Sequence, residues 1–466
     1  MLNIGLIQPE TIPGHFPKNL RAIVELYRFC LDAGADLVLC PPLALSGFHT
    51  GELAQRSGFR AQNNAALSYL VKEIASVPLL LGAVDGEQIR FYLLRDGELF
   101  PQQAVITAPA SPRQMPFLSI QTTPTTPFFS VTSWDTSEPL QNSTCLLLHT
   151  PVEAWHEGIL EEDEKQTRLL AQNAKLPVFT IRLAGGEGEY LLPGASSAWS
   201  AQGVLLKRMR FMERDYAVIS PSSPRNNETA LPSASQQIRH ALQKGTIDFI
   251  RKSGHNAVCF NIQEGPATIL LAKLLKEKWP SLPITGLIPT LPDTTENLKK
   301  QWQDLADAIG LNTIPFPLKN MDQIQDAYLV ASWLMHQWAE EEGALFLSSL
   351  SGTDIITNPG RLHTAIATDL MPLGDLYESE LADLYPDFFT PTPEARSRDG
   401  FLIRLLRNHD SATKLVSQFP ESESEIRRLQ RRIHASEWMR RKLPPRIILR
   451  STPNTPLTPY IHQLAD

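Results

Sequence analysis

Four cysteines are all that 466 residues contain, at Cys30, Cys40, Cys145 and Cys259, and no two of them fall in CxxC spacing. That spacing argues against a thiolate metal site or a disulfide framework. Buried free thiols in a reducing, cytoplasmic setting are expected instead. No run of about 18 apolar residues occurs, so no membrane span is expected. The opening MLNIGLIQPE has no charged segment leading into an apolar stretch, and reads as a strand rather than an export signal. Positive charge is not in excess: 43 Lys and Arg stand against 50 Asp and Glu, a net charge of -7. A nucleic-acid partner is therefore not expected. No lysine lies between Lys72 and Lys165, and no internal repeat is visible. Proline, by contrast, is abundant at 37 residues, and the chain is too long for one typical core, so two domains with proline-rich loops are expected.

Residues 1–218 read as strands interleaved with few helices. Asn3 to Ile7 is a short apolar strand, and Leu20, Ile23, Val24, Tyr27 and Leu31 recur at helical spacing before Gly34. A strand at Leu37 to Cys40, a helix over 62–75 and a strand at Leu79 to Val84 follow. Asp96-Gly97 between apolar runs is a hairpin signal. Residues 107–127, dominated by Pro, Thr and Ser, read as an irregular loop. A strand at Cys145 to His149, a helix over 158–175 and strands near 178–182, 196–200 and 203–208 complete a layered sandwich. Residues 219–235, ISPSSPRNNETALPSAS, show neither period and read as a linker. From 236 to 452 the pattern becomes β-α-β alternation, the mark of a doubly wound parallel sheet, followed by an arginine-rich helical part. Residues 453–466 read as an extended arm.

The stretch LVLCPPLALSGF, residues 37–48, runs a buried strand into two prolines. Carboxyl ends of strands are where α/β domains place their chemistry, yet Pro42 offers no acid, base or nucleophile. With its flanks, DLVLCPPLALSGF is similar to a strand followed by F-P-E-L-A-L-T-G-Y. Four later segments are similar to a second set in order: FNIQEGPATILLA, GLIPT, LSSLSGTD with MPLGDLYESEL, and RIHASEWMRRKLPP. Together they resemble glutamine-dependent NAD+ synthetase, a family that joins a nitrilase-like glutaminase to an ATP-dependent synthetase. The resemblance implies an α/β chain: a nitrilase-like αββα sandwich followed by a doubly wound parallel α/β domain of the PP-loop ATPase, Rossmann-like type.

A glutaminase of that kind uses a Glu base, a Lys and a Cys nucleophile. The thiolate attacks the amide, the Glu takes its proton and the Lys stabilises developing charge. By resemblance the Glu position is Pro42. The Lys position falls in the Pro/Thr-rich stretch, which has no lysine. The Cys position is best matched by Ser133, in Ser133-Trp134-Asp135. Cys145 nearby begins an apolar strand and reads as core, and His149 and His156 read as surface or loop residues rather than substitute bases.

The synthetase half departs from its family in the same way. The phosphate loop S-G-G-x-D-S is replaced by Gln263, Glu264, Gly265, Pro266, Ala267 and Thr268. Glu264 brings negative charge to a phosphate position, Pro266 removes an N–H and Ala267 cannot hold metal. The alternative for Pro266 is that it merely starts the helix. In G-T-x-N-K-S-E, Gly352 and Thr353 persist while the Lys and Glu do not. The lysine after P-x-G-D-L-Y is Glu378, and the lysine of E-x-K-R-R is Met439. What persists reads as structural: Pro372, Gly374, Asp375, Tyr377, Glu437, Arg440, Arg441, Pro444 and Pro445. The basic run from Arg427 to Lys442 reads as a solvated helix face paired with acids such as Glu421, Glu423 and Glu425.

These residues predict a member degenerate at both sites, inactive in both domains, that serves as a binding or regulatory subunit. A diverged synthetase still making NAD+ from its deamido precursor, and a nucleotide or dinucleotide sensor without turnover, stay open as alternatives. ATP with Mg2+ and deamido-NAD+ are the ligands the resemblance implies, with no cofactor certain and no metal site expected. A homo-oligomer through the nitrilase-like domain is implied, and assembly with an active synthetase is a further expectation.

Overall fold

The computed structural model describes residues 2–86, 88–107, 117–122, 129–134, 144–221, 230–262, 266–290, 295–307, 310–317, 327–358, 362, 364–387 and 390–450. The chain divides into two compact units, Met1–Ala234 and Ser235–Asp466.

The first unit stacks two six-stranded sheets. One contains β1 (Ile4–Gln8), β2 (Leu37–Cys40), β3 (Leu79–Asp85), β4 (Gln88–Arg95), β5 (Glu98–Thr107) and β14 (Asp215–Ile219), in the order β14-β1-β2-β3-β4-β5. The other contains β6 (Phe117–Thr122), β7 (Phe129–Trp134), β8 (Thr144–His149), β9 (Val178–Thr180), β12 (Ser197–Trp199) and β13 (Leu205–Arg208), in the order β13-β12-β9-β8-β6-β7. β10 (Ala184–Glu187) and β11 (Tyr190–Pro193) form a separate hairpin.

The period-2 rule sorts β8 cleanly. Leu146 and Leu148 join the core shared with the first sheet, whereas Leu147 packs with Ala171 of α3 (Ile159–Ala174) on the opposite face. On the far side of the first sheet, α1 (Phe16–Asp32) approaches so closely that a Cβ on Gly5 would sit 3.0 Å from the Cys30 Cβ. Helix, sheet, sheet and helix thus make the αββα sandwich. The hairpin expected at Asp96-Gly97 joins β4 to β5, with φ of 50° and 76° at the two turn residues.

Two boundaries differ from the sequence reading. The helix expected over 62–75 is α2, Ser57–Glu73. The stretch expected to be all loop contains β6, paired with both β7 and β8. Its Leu118 and Ile120 alternate into the core and are fully buried, a signal drowned by the surrounding Pro and Thr.

The second unit is built on a four-stranded parallel sheet of β15 (Val258–Asn261), β16 (Ile284–Thr290), β17 (Asn312–Pro317) and β18 (Leu345–Leu347), in the order β17-β16-β15-β18. Around it run α4 (Ala234–Lys252), α5 (Pro266–Lys278), α6 (Glu296–Asp307), α7 (Ala327–Glu341), α8 (Gly352–Thr357), α9 (Glu378–Leu384), α10 (Pro393–Leu402), α11 (Ala412–Gln418) and α12 (Glu423–Arg440). β17, NTIPFP, was not anticipated because its two prolines mask it. It lies at the sheet edge, where proline is tolerated. Winding reverses between β15 and β18, so the ends of these two strands mark the switch point where an open α/β sheet offers a ligand crevice. Among the described residues, no helix is long and apolar enough to cross a membrane.

Candidate functional site

The first strand-end site lies beyond β2. Pro42 packs onto Gly82 of β3 so tightly that a Cβ at Gly82 would stand 2.9 Å from the Pro42 Cβ. Pro41, Pro42, Phe48, Arg182, Leu192 and Pro193 line a cavity of about 10 Å³. That is about the space of one water, far below what an amino-acid amide requires. Beside it, Glu187 is fully engaged with the fold. It accepts from Thr11 and from the backbone N–H groups of Phe48 and His49, at 2.8 and 3.1 Å for the latter two. Arg182 forms a buried ion pair with Asp163.

No cysteine in the chain is activated. Burial pushes the Cys30 thiol up to about 12 and raises Cys40, Cys145 and Cys259 as well. Cys145 donates to the Ile120 carbonyl at 3.2 Å, the role of a core thiol. A nucleophile needs the opposite environment, cationic and partly exposed. Ser133 lies in the edge strand β7, one residue before its end and across from Leu118. Its side chain, like all of Asp135, is outside the described residues. His149, expected at the surface, is buried at the end of β8. Desolvation lowers its pKa to about 4 against the opposing pull of Asp163, so it is neutral at pH 7. His156 is half-buried, with Nδ1 3.1 Å from the Glu157 carbonyl.

The second site lies at the switch point. Gln263, Glu264 and Gly265 are outside the described residues. α5 begins at Pro266, so this proline opens a helix where its missing N–H costs nothing. Ala267 follows in the first turn. Thr268 is buried, and its Oγ1 lies 2.8 Å from Ser349 Oγ, joining the first turn of α5 to the loop after β18. The hydroxyl that the resemblance implies for the phosphate loop thus cross-links the fold.

The same holds for the second half of the site. Gly352 N–H donates to the Leu376 carbonyl at 2.7 Å. Ser351 and Asp354 cap α8 reciprocally. Thr353 Oγ1 donates to Asp399 Oδ1 at 2.9 Å and accepts from Glu378 N–H at 2.9 Å. The other Asp399 oxygen accepts from Ser379 N–H at 2.8 Å. Glu378, where the resemblance implies a lysine, pairs with Arg398 at 2.9 Å, and Arg398 also reaches Asp399 at 3.3 Å. Met439, the other lysine position, is 4% exposed and packs in the helical core with Tyr377 and Leu429.

Asp375 accepts from the N–H groups of Leu449 and Arg450, and burial raises its pKa. Glu380 is held by Arg407 and Arg450. Among the described residues, no group of three or more His, Cys, Asp or Glu could hold a metal ion. Among the described side chains of this site, Thr353, Glu378, Arg398 and Asp399 are engaged with one another. Sequence reasoning missed Arg398 and Asp399, which nothing in the spacing of PTPEARSRDG marks as partners of residues about 20 and 46 positions away. It placed the basic run on a solvated face. Arg428 does pair with Glu425, but Arg440 is buried against Glu437.

The described chain thus combines an αββα sandwich with a parallel α/β sheet that has a switch point. No protein-family model matches the chain. Its curated relatives are glutamine-dependent NAD+ synthetases. The one from Synechocystis sp. is 20% identical, across 96% of this chain and 95% of that protein. The one from Thermotoga maritima is 21% identical, across 69% of this chain and 66% of that protein. Among solved structures, a glutamine-dependent NAD+ synthetase from Cytophaga hutchinsonii superposes with a TM-score of 0.75 at 12% identity. It covers 99% of this chain and 98% of its own. Another, from Acinetobacter baumannii in complex with ADP, gives 0.64 at 13% identity, covering 98% of this chain and 99% of its own. The fold is the one the sequence resemblance implied.

Proposed function

We propose that this chain is a non-catalytic counterpart of glutamine-dependent NAD+ synthetase that acts as a binding or regulatory subunit. The domain division at 1–218, 219–235, 236–452 and 453–466, assembly through the nitrilase-like part and a cytoplasmic setting belong to this reading. The observation that carries it is the state of the chain's thiols: all four are buried or half-buried and held protonated, and the position of the base is a proline facing room for one water. Amide hydrolysis by a cysteine enzyme needs a thiolate and space for its amide, and neither is provided. In the synthetase-type unit, Thr353, Glu378 and Asp399 answer one another instead of a ligand.

The test is a calorimetric titration with ATP and magnesium, then with deamido-NAD+, with glutaminase and NAD+-formation assays on the same protein. The expected result is no ammonia released from glutamine and no NAD+ formed. Glutamine hydrolysis or NAD+ formation above background would overturn the proposal. Capture of an active synthetase from the same cell would identify the subunit it regulates.

A further inference from the structure

The segment after α12 is laid along the outside of the switch-point region. Leu347 of β18 forms a parallel bridge to Leu370, and Met371 forms another to Arg446. The parallel sheet of the second unit is thus continued past β18 by two short rows, one around residues 370–371 and one around residue 446. The inner row runs on into the stretch whose backbone meets α8: the Leu376 carbonyl accepts from Gly352 N–H at 2.7 Å, and Glu378 N–H donates to Thr353 Oγ1 at 2.9 Å.

The outer row is an isolated bridge rather than a ladder. Met371 N–H donates to the Pro445 carbonyl at 3.0 Å, while Pro444 and Pro445 bring no N–H of their own. Beyond that bridge, side chains hold the segment. One oxygen of the buried Asp375 accepts from the N–H groups of Leu449 and Arg450 at 2.8 and 3.0 Å. The Arg450 guanidinium donates to Glu380 at 2.7 Å, beside the Arg407 pair at 2.6 Å. Ile447 and Leu449 are fully buried, so the seated state is the resting one. Seating also requires Gly374, where a Cβ would stand 2.6 Å from Arg446 Cδ.

Local openings of a native fold begin where backbone pairing is sparse. Here a segment without a ladder is seated on the stretch that closes on α8. We propose that residues 444–450 form a strap that releases as a unit and sets the state of the switch-point region. Seated, the strap holds 371–380 in place, and Leu376 and Glu378 stay bound to Gly352 and Thr353. Unseated, it withdraws the Leu449 and Arg450 donors from Asp375 and Glu380, and the two backbone bonds to α8 part with it. The device does not depend on whether the chain turns over a substrate.

The test is hydrogen exchange read by mass spectrometry on the full chain, for the wild type, Asp375→Asn and Gly374→Ala. The first removes the charge that receives the Leu449 and Arg450 N–H groups, and the second displaces Arg446 without touching that carboxylate. In both variants, exchange at Leu449, Arg450, Gly352 and Glu378 should rise together by at least about tenfold. β15 and β16 should keep their wild-type protection, which separates release of the strap from loss of the fold. Unchanged exchange at Leu449 and Arg450 in either variant would overturn the proposal. So would a rise there while Gly352 and Glu378 stay protected, or a rise that takes in β15 and β16 equally.

Discussion

The two strand-end regions are occupied by different physics. At Pro42 the site is filled: proline, glycine and leucine pack until about 10 Å³ remains. At Thr353 and Glu378 the site is not packed shut but answered. Each polar group is matched by another from the same chain, with Arg398 and Asp399 in the place of a ligand. A steric closure resists reversal because volume must be created. An electrostatic closure can be rewritten one charge at a time, but it couples the site to the stability of the surrounding helices.

The largest effect should come from the residue on which the second closure depends. Asp399→Ala strips partners from the Thr353 hydroxyl and the Ser379 N–H at a fully buried position. The loss should be about 3–5 kcal/mol by urea denaturation. Pro42→Glu tests the first closure, restoring the carboxylate that the resemblance implies. With little room, and with Arg182 already paired with Asp163, it should cost about 3 kcal/mol in the same measurement and release no ammonia from glutamine.

A third experiment uses pH. The folded state holds the His149 pKa at about 4, below its ordinary value of 6.5. Between these values the unfolded chain binds more protons than the folded one. The contribution is therefore complete above pH 6.5 and is lost as pH falls toward 4, on the order of 2–3 kcal/mol. His149→Gln should remove that part of the pH slope.

Glu378→Lys should have the smallest effect. Its pair with Arg398 is partly exposed, so loss of the pair costs about 0.2–1 kcal/mol, with a similar amount for the like charges that result. NAD+ formation should stay at background. Appearance of activity from this one change would show that the second site is far closer to working than its internal pairing suggests.

Much of this was legible in the sequence, and the parts that were not share a cause. β2, the Asp96-Gly97 hairpin, the parallel sheet and the helix opening at Pro266 follow from local signals: apolar runs, turn residues and proline's missing N–H. The resemblance around Pro42 was visible because its flanks are so regular. β6 and β17 escaped because their Thr and Pro content imitates loops, and only pairing with neighbours reveals them. Burial of His149 and Arg440, and the closure of Glu378 by Arg398, depend on residues brought together by topology. A charge reversal in sequence reports only a loss. Its partner is found once the helices are packed.

One feature of the first unit reaches beyond its chemistry. Its opening strand and its last strand lie side by side, Ile4 against Ile219, hydrogen-bonded as neighbours. A unit that enters and leaves at the same sheet edge is a cassette. It can be cut out, transplanted into a loop of another protein or reopened elsewhere and rejoined at its old ends, with little demand on the linker that follows. Such a module can be carried through a genome as a building block.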